Sequence, residues 1–191
     1  MFAQIKTSLL ILLILTIVTG VIYPLVVTAA AQVIFPAQAN GSLISLNGTV
    51  VGSSLIGQAN GDSRYFWSRP STIGYNPLPS SGSNQGPTSA ALQAEVKQRA
   101  ADFRAANNLP TEVEIPTEML FASGSGLDPH ISPEAAKLQI DRVATARGLE
   151  RDQVAALVEQ YTEPPQLLPL GQPRVNVLLL NIALDALSSN S

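Results

Sequence analysis

"SLLILLILTIVTGVIYPLVVTAAAQVIF", residues 8–35, decides the architecture of this chain. It contains no Asp, Glu, Lys or Arg. Coiled as a helix at about 1.5 Å per residue, it is longer than a hydrocarbon core of about 30 Å, and tilt or a kink takes up the excess. Gly20 and Pro24 lie inside it. Proline removes a backbone donor and crowds the preceding turn, so a bend is expected near Tyr23, and the small residues there also let a second helix approach closely. The competing assignment is a secretory signal peptide, with Lys6 as its basic start and Ala29-Ala30-Ala31 as its cleavage site. Signal peptides carry an apolar stretch of about 7–15 residues, and this one is longer, which favours a permanent span.

Lys6 is the only charged residue before Asp62. By the positive-inside rule it holds residues 1–7 in the cytoplasm, makes residues 8–35 the span and places residues 36–191 outside, in a cell (inner or plasma) membrane. The whole chain has 191 residues, one histidine, no cysteine and a formal charge of -3. Thiol catalysis, disulfides and cysteine-bound zinc are thereby excluded. The mildly acidic balance lacks the basic stripe that a nucleic-acid backbone demands, so the expected surroundings are membrane lipid and protein.

Beyond the span, Asn47-Gly48 between apolar, β-branched runs predicts a β-hairpin. Residues 61–88, "GDSRYFWSRPSTIGYNPLPSSGSNQGPT", are rich in glycine, proline and serine yet hold four aromatic rings. Such a stretch is expected to be an ordered, functional loop rather than a linker. Thr88 is expected to cap a helix running to about Asn107, with Leu92, Val96, Ala100 and Phe103 on one face and Glu95 paired to Arg99. An extended piece is predicted near Met119 to Phe121. Ser132 then caps a helix with Pro133 at its first position and Gly148 as its stop, and a further helix covers about Arg151 to Tyr161. The spacing of Val175, Leu178, Leu179 and Ile182 favours a helix over a buried strand in the tail. The fold class is α+β: one N-terminal transmembrane helix, then a small, mostly helical domain with a short β-hairpin.

Catalysis needs a nucleophile, a base and donors for developing charge. The stretch "FASGSGLDPHISPEAA", residues 121–136, holds the single histidine and offers Ser125 or Ser123, His130 and Asp128 as a set on paper. A membrane-anchored hydrolase using Ser125, His130 and Asp128 is therefore one alternative. No Gly-x-Ser-x-Gly is formed, however, and near neighbours in sequence seldom reach triad geometry. The simpler account is a stiff turn feeding a helix. Metal ligands are too few. Neither a phosphate-binding loop with its lysine nor the Asp-Lys-Thr-Gly-Thr signature of an ion-pumping ATPase occurs.

The segments "YFWSRPS" (65–71), "YNPLPSSGSNQGPT" (75–88), "ASGSGLDPHISPEAA" (122–136), "QIDRVATARG" (139–148) and "RVNVLLLNIALD" (174–185) together resemble the C chain of the Kdp potassium-transporting ATPase, the KdpC family. The resemblance runs in order from the span nearly to the C-terminus, departing at Gln85, where leucine is usual, and Ser89, where asparagine is usual. It implies an accessory subunit of a high-affinity, ATP-driven potassium uptake complex with a channel-like A chain, a P-type ATPase B chain and the small F chain. It also implies a non-catalytic role without a firmly bound cofactor. ATP enters only through the family's role as a catalytic chaperone that raises the ATP affinity of the B chain, and that role conflicts with a domain lying outside the membrane. The residues expected to form a docking or scaffold loop are Tyr65, Phe66, Arg69 and Pro70, then Tyr75, Asn76, Ser81, Gly82, Asn84 and Gly86. With them come Ser123, Gly124, Ser125, Gly126, Asp128, Pro129 and His130, and the outlying Arg142, Arg174 and Asn176.

Overall fold

The structure is a computed structural model and describes residues 2–166 and 170–188. The chain divides into two compact units that meet in sequence at Ser53 and Ser54.

The first unit is a helix with a hairpin after it. Helix α1 (Phe2–Ile17) passes through a π-helical turn (Val18–Ile22) into α2 (Tyr23–Ile34), and the 33-residue run is long and apolar enough to cross a membrane. The helix begins six residues ahead of the expected Ser8. Where a bend was expected the helix makes a π-turn, in which Tyr23 N–H reaches the Val18 carbonyl. Pro24 cannot donate to Gly20, and a wider turn is how a helix absorbs such a gap without breaking. After the short α3 (Pro36–Ala39) come β1 (Leu43–Leu46) and β2 (Thr49–Ser53), antiparallel, with a register shift between Ile44 and Ser45. Asn47 and Gly48 form the two-residue turn with φ of 51° and 79°, the pair of positive values that a type I′ turn requires.

The second unit holds the core. Helix α4 (Ala90–Asn107) packs with α5 (Pro133–Lys137), α6 (Ile140–Arg147), α7 (Arg151–Gln160) and α8 (Val177–Ser188) around Phe66, Phe103, Val143, Val154, Val158, Leu180 and Leu184. The cap of α4 is Ser89, whose hydroxyl accepts from Leu92 N–H, not Thr88. Serine is among the strongest capping residues. Asn108, at φ 50°, ends the helix. The predicted Glu95–Arg99 pair is present at 2.8 Å. The piece expected to be extended at Met119 is instead a 3-10 turn (Thr117–Met119), which tucks Met119 into the core.

The helix expected from Ser132 to Gly148 is split. Ser132 caps it and Gly148, at φ 66°, closes it, but the helix is interrupted by a turn at Leu138-Gln139, where the Gln139 side chain is fully buried. In the tail the helix α8 is preceded by a strand that the periodicity had folded into it. Strand β5 (Arg174–Asn176) lies between β3 (His130–Ile131) and β4 (Thr162–Glu163) in an antiparallel three-stranded sheet, pairing His130 with Asn176 and Thr162 with Val175. These strands are only two or three residues long, too short for any alternation to register.

Candidate functional site

The aromatic stretch after Ser63 belongs to no sheet. Two side-chain amides stand in for a neighbouring strand. Asn181 of α8 accepts from Phe66 N–H at 2.8 Å and donates to the Phe66 carbonyl at 3.0 Å. Gln139, at the break between α5 and α6, accepts from Trp67 N–H at 2.8 Å and donates to the Trp67 carbonyl at 3.4 Å. A buried segment with free amides would cost several kcal/mol, so these two side chains fix the path of the chain. Phe66 itself is completely buried.

Arg142 secures the same segment from below. Its Nη1 donates to the carbonyls of Ser63 (2.7 Å) and Tyr65 (3.0 Å), its Nε to Asn107 Oδ1 (2.9 Å) and its Nη2 to Gln139 Oε1 (2.7 Å). The guanidinium lies 4.4 Å from the centre of the Trp67 ring. Burial pulls the Arg142 pKa down to about 10, against a partial offset from Asp62, which leaves it charged at neutral pH. Tyr65 sits at the rim, under the Arg147 guanidinium and donating to Asp185 at 3.2 Å.

From Ser68 onward the chain runs against the loop 122–130, and hydrogen bonds to backbone carbonyls tie that loop both to it and to the earlier segment at Gly57. Ser123 N–H donates to the Pro70 carbonyl, Ser80 Oγ to the Ser125 carbonyl at 2.8 Å, and Gly57 N–H to the Leu127 carbonyl at 2.8 Å. A Cβ on Gly126, whose φ is +70°, would stand 2.6 Å from Ile73 and 2.9 Å from the Ser81 carbonyl; one on Gly57 would stand 2.5 Å from the Asp128 carbonyl. Glycine is required at both by the approach of the other chain segment. Gly82 likewise faces the Gly124 backbone.

Arg69 and Asp128 join the two loops by a 2.7 Å ion pair. Asp128 Oδ1 also accepts from His130 N–H at 3.0 Å and lies 3.7 Å from its Nδ1. Burial works to raise the Asp128 pKa, but the hydrogen bonds from His130 and Arg69 outweigh it and hold the carboxyl at about 2. Tyr75, at φ 60°, donates its hydroxyl to the Arg69 carbonyl at 2.6 Å, and Asn76 Oδ1 accepts from Leu78 N–H. The Pro129 carbonyl accepts from Val177 N–H, and Asn176 donates to the Ser54 carbonyl and accepts from Leu179 N–H at the start of α8.

The expected site residues therefore separate into groups. Arg69, Pro70, Tyr75, Ser81, Gly82 and the run from Ser123 to His130 come together at the loop junction. Asn84, at φ 54°, and Gly86 shape the turn into α4. Phe66 and Arg142 belong to the core, and Arg174 pairs with Glu163 across β5 and β4. Gln139, Asn181 and Asn107 were not singled out by sequence; Asn107 and Asn181 are polar residues on the buried side of a helix and Gln139 is a buried polar residue where the predicted helix breaks, and a polar residue at a core position was the available signal.

As for chemistry, the Ser125 hydroxyl accepts from Leu127 N–H at 3.1 Å, and among the described residues the hydrogen bonds give no serine–histidine link in this loop. A cleft of 370 Å³ beside it is lined by Thr72, Ile73, Gly82, Ser83, Gln85, Glu95 and Arg99. Arg99, its one cation, is already bound to Glu95 and to the Leu120 carbonyl. Among the described residues no three His, Asp or Glu side chains gather as a metal site would need.

A long apolar helix, joined to an α+β domain whose conspicuous polar side chains are bound to its own backbone, is the build of an accessory subunit. The family model for the K+-transporting ATPase c chain, KdpC, matches residues 5–186. The chain belongs to this family. It is 54% identical over 190 residues to the potassium-transporting ATPase KdpC subunit of Methylococcus capsulatus, covering 98% of this chain and 100% of that one. The subunits of the same name from Dechloromonas aromatica, 56% identical over 180 residues (91% and 92% covered), and Geobacter metallireducens, 50% over 189 (97% and 98%), are similar relatives. An accessory role in potassium uptake follows from that membership.

Proposed function

We infer that this chain is anchored by its N-terminal helix and works from outside the membrane as a docking subunit. Its partners are the channel-like A chain and the P-type ATPase B chain, with the small F chain beside them. The observation that carries this is the contrast within one chain: an uninterrupted apolar helix, Phe2–Ile34, none of it buried, and a separate unit whose loops are fixed by internal hydrogen bonds. A loop surface ordered in advance loses little entropy on docking, which suits a permanent subunit contact. The Arg69–Asp128 junction is the centre of that surface, with Tyr75 and His130 at its edge.

With the domain outside, help with ATP binding by the B chain acts through the assembly and not by contact with the nucleotide. The paired state of Arg99, and the lack of a lysine-bearing phosphate loop in the sequence, favour that form of the chaperone role. The test uses the cysteine-free background. With Lys97→Cys on the exposed side of α4, a membrane-impermeant thiol reagent is expected to label intact cells. Labelling only after permeabilisation places the domain in the cytoplasm and makes direct contact with ATP the better mechanism.

A further inference from the structure

We propose that the β1–β2 hairpin is an interfacial foot, lying in the lipid headgroup layer of the leaflet from which the anchor helix emerges. This rests on the membrane-span assignment above. Leu43, Leu46 and Val50 are 60%, 41% and 56% exposed. Leu43 and Ser45 share a face of β1 and Val50 stands opposite Ser45, so one face presents Leu43 and Val50 while Leu46 projects from the other. No charged residue occurs anywhere from residue 7 to residue 61. An isolated two-stranded hairpin is marginal in water, and exposed strands normally carry charge or proline against unwanted pairing. This one carries neither, so its surroundings are not plain water.

The connection to the helix indicates lipid as the occupant. The 33-residue helix measures about 50 Å, longer than a bilayer of about 40–45 Å with its headgroups, so both ends reach the headgroup layers. The chain then does not continue upward. Asn40 turns back to the helix, donating to Gln32 Oε1 at 3.1 Å and to the Pro36 carbonyl at 2.7 Å. Gly41, at φ 83°, and Ser42 close the turn by donating to the Gln38 and Ala37 carbonyls. Ser53 Oγ ties the base of the hairpin to the Gly41 carbonyl at 2.7 Å. The hairpin base is thus held near the level of Gln32, in the last turn of the helix.

Single nitroxide labels on the full chain, purified with its accompanying subunits and returned to phosphatidylethanolamine–phosphatidylglycerol vesicles, test this. The labelled variants are Val50→Cys and Leu43→Cys, with Leu13→Cys in the helix and Lys97→Cys on α4 as references. The expected result is an oxygen-to-nickel-complex collision ratio several-fold higher at positions 50 and 43 than at 97, and below that at 13. A ratio at 50 and 43 equal to that at 97 puts the hairpin in water and overturns the proposal. Shielding from both reagents means that protein covers it, and overturns it equally. A low ratio at position 13 itself fails the membrane span, and the foot with it. Two hairpin sites keep the outcome readable if one variant does not fold.

Discussion

The two units of this chain use apolar residues in opposite ways. In residues 2–53 large apolar side chains are exposed nearly throughout, and no hydrophobic residue is buried. In residues 54–188 they converge, from Phe66 to Leu184, on one core. The charge pattern follows suit, with Lys6 alone in the first unit and every other charged residue in the second. A helix apolar on all sides has its hydrophobic requirement met by its solvent, whereas a water-borne domain must meet it from within. The lesson is that these units owe their stability to different sources, and single substitutions should separate them.

The largest effect is expected from Phe66→Ala. A fully buried ring is lost and a cavity remains, which costs about 3–5 kcal/mol. Urea unfolding followed by Trp67 fluorescence should shift to a lower midpoint, while the share of protein retained by alkali-washed membranes stays unchanged. If retention fell in parallel, the units would not be energetically separate.

Val18→Arg is the converse. A charge at the middle of the apolar helix costs about 2.5–3.5 kcal/mol of insertion. Membrane retention should fall and the urea midpoint of the domain should hold.

A smaller effect belongs to the loop junction and sharpens the comparison inside the second unit. The Asp128 carboxyl has a folded pKa of about 2 against an ordinary 3.8. A depressed carboxylate contributes its stabilisation in full above the ordinary value and loses it as the pH falls through the folded one. Because the pair is partly open to water, about 1 kcal/mol is expected. Between pH 5 and pH 2, Asp128→Asn should lose less stability than the native chain, by that amount, in urea titrations at stepped pH.

Local rules made much of the fold legible in advance. The long apolar helix follows from composition alone, and the Asn47-Gly48 hairpin, the Ser132 cap with Pro133, the Gly148 stop and the Glu95–Arg99 pair are each settled by residues within a turn or two of one another, where dihedral preference and capping act. The loop motifs around Tyr65 and Asp128 were also visible as composition. What they do was not. Residues 69 and 128 form an ion pair across 59 positions, and Asn181 reaches Phe66 across 115.

The sequence by itself determined that one segment is apolar on every side and that another must enclose a core, because both follow from apolar pattern and charge over short windows. Only the tertiary structure decided that Gln139 interrupts a helix to serve as a strand partner for Trp67. It alone also decided that Arg174–Asn176 leaves the tail helix to join β3 and β4. Both choices turn on satisfying buried backbone groups with distant partners, and that demand does not exist until the chain has packed.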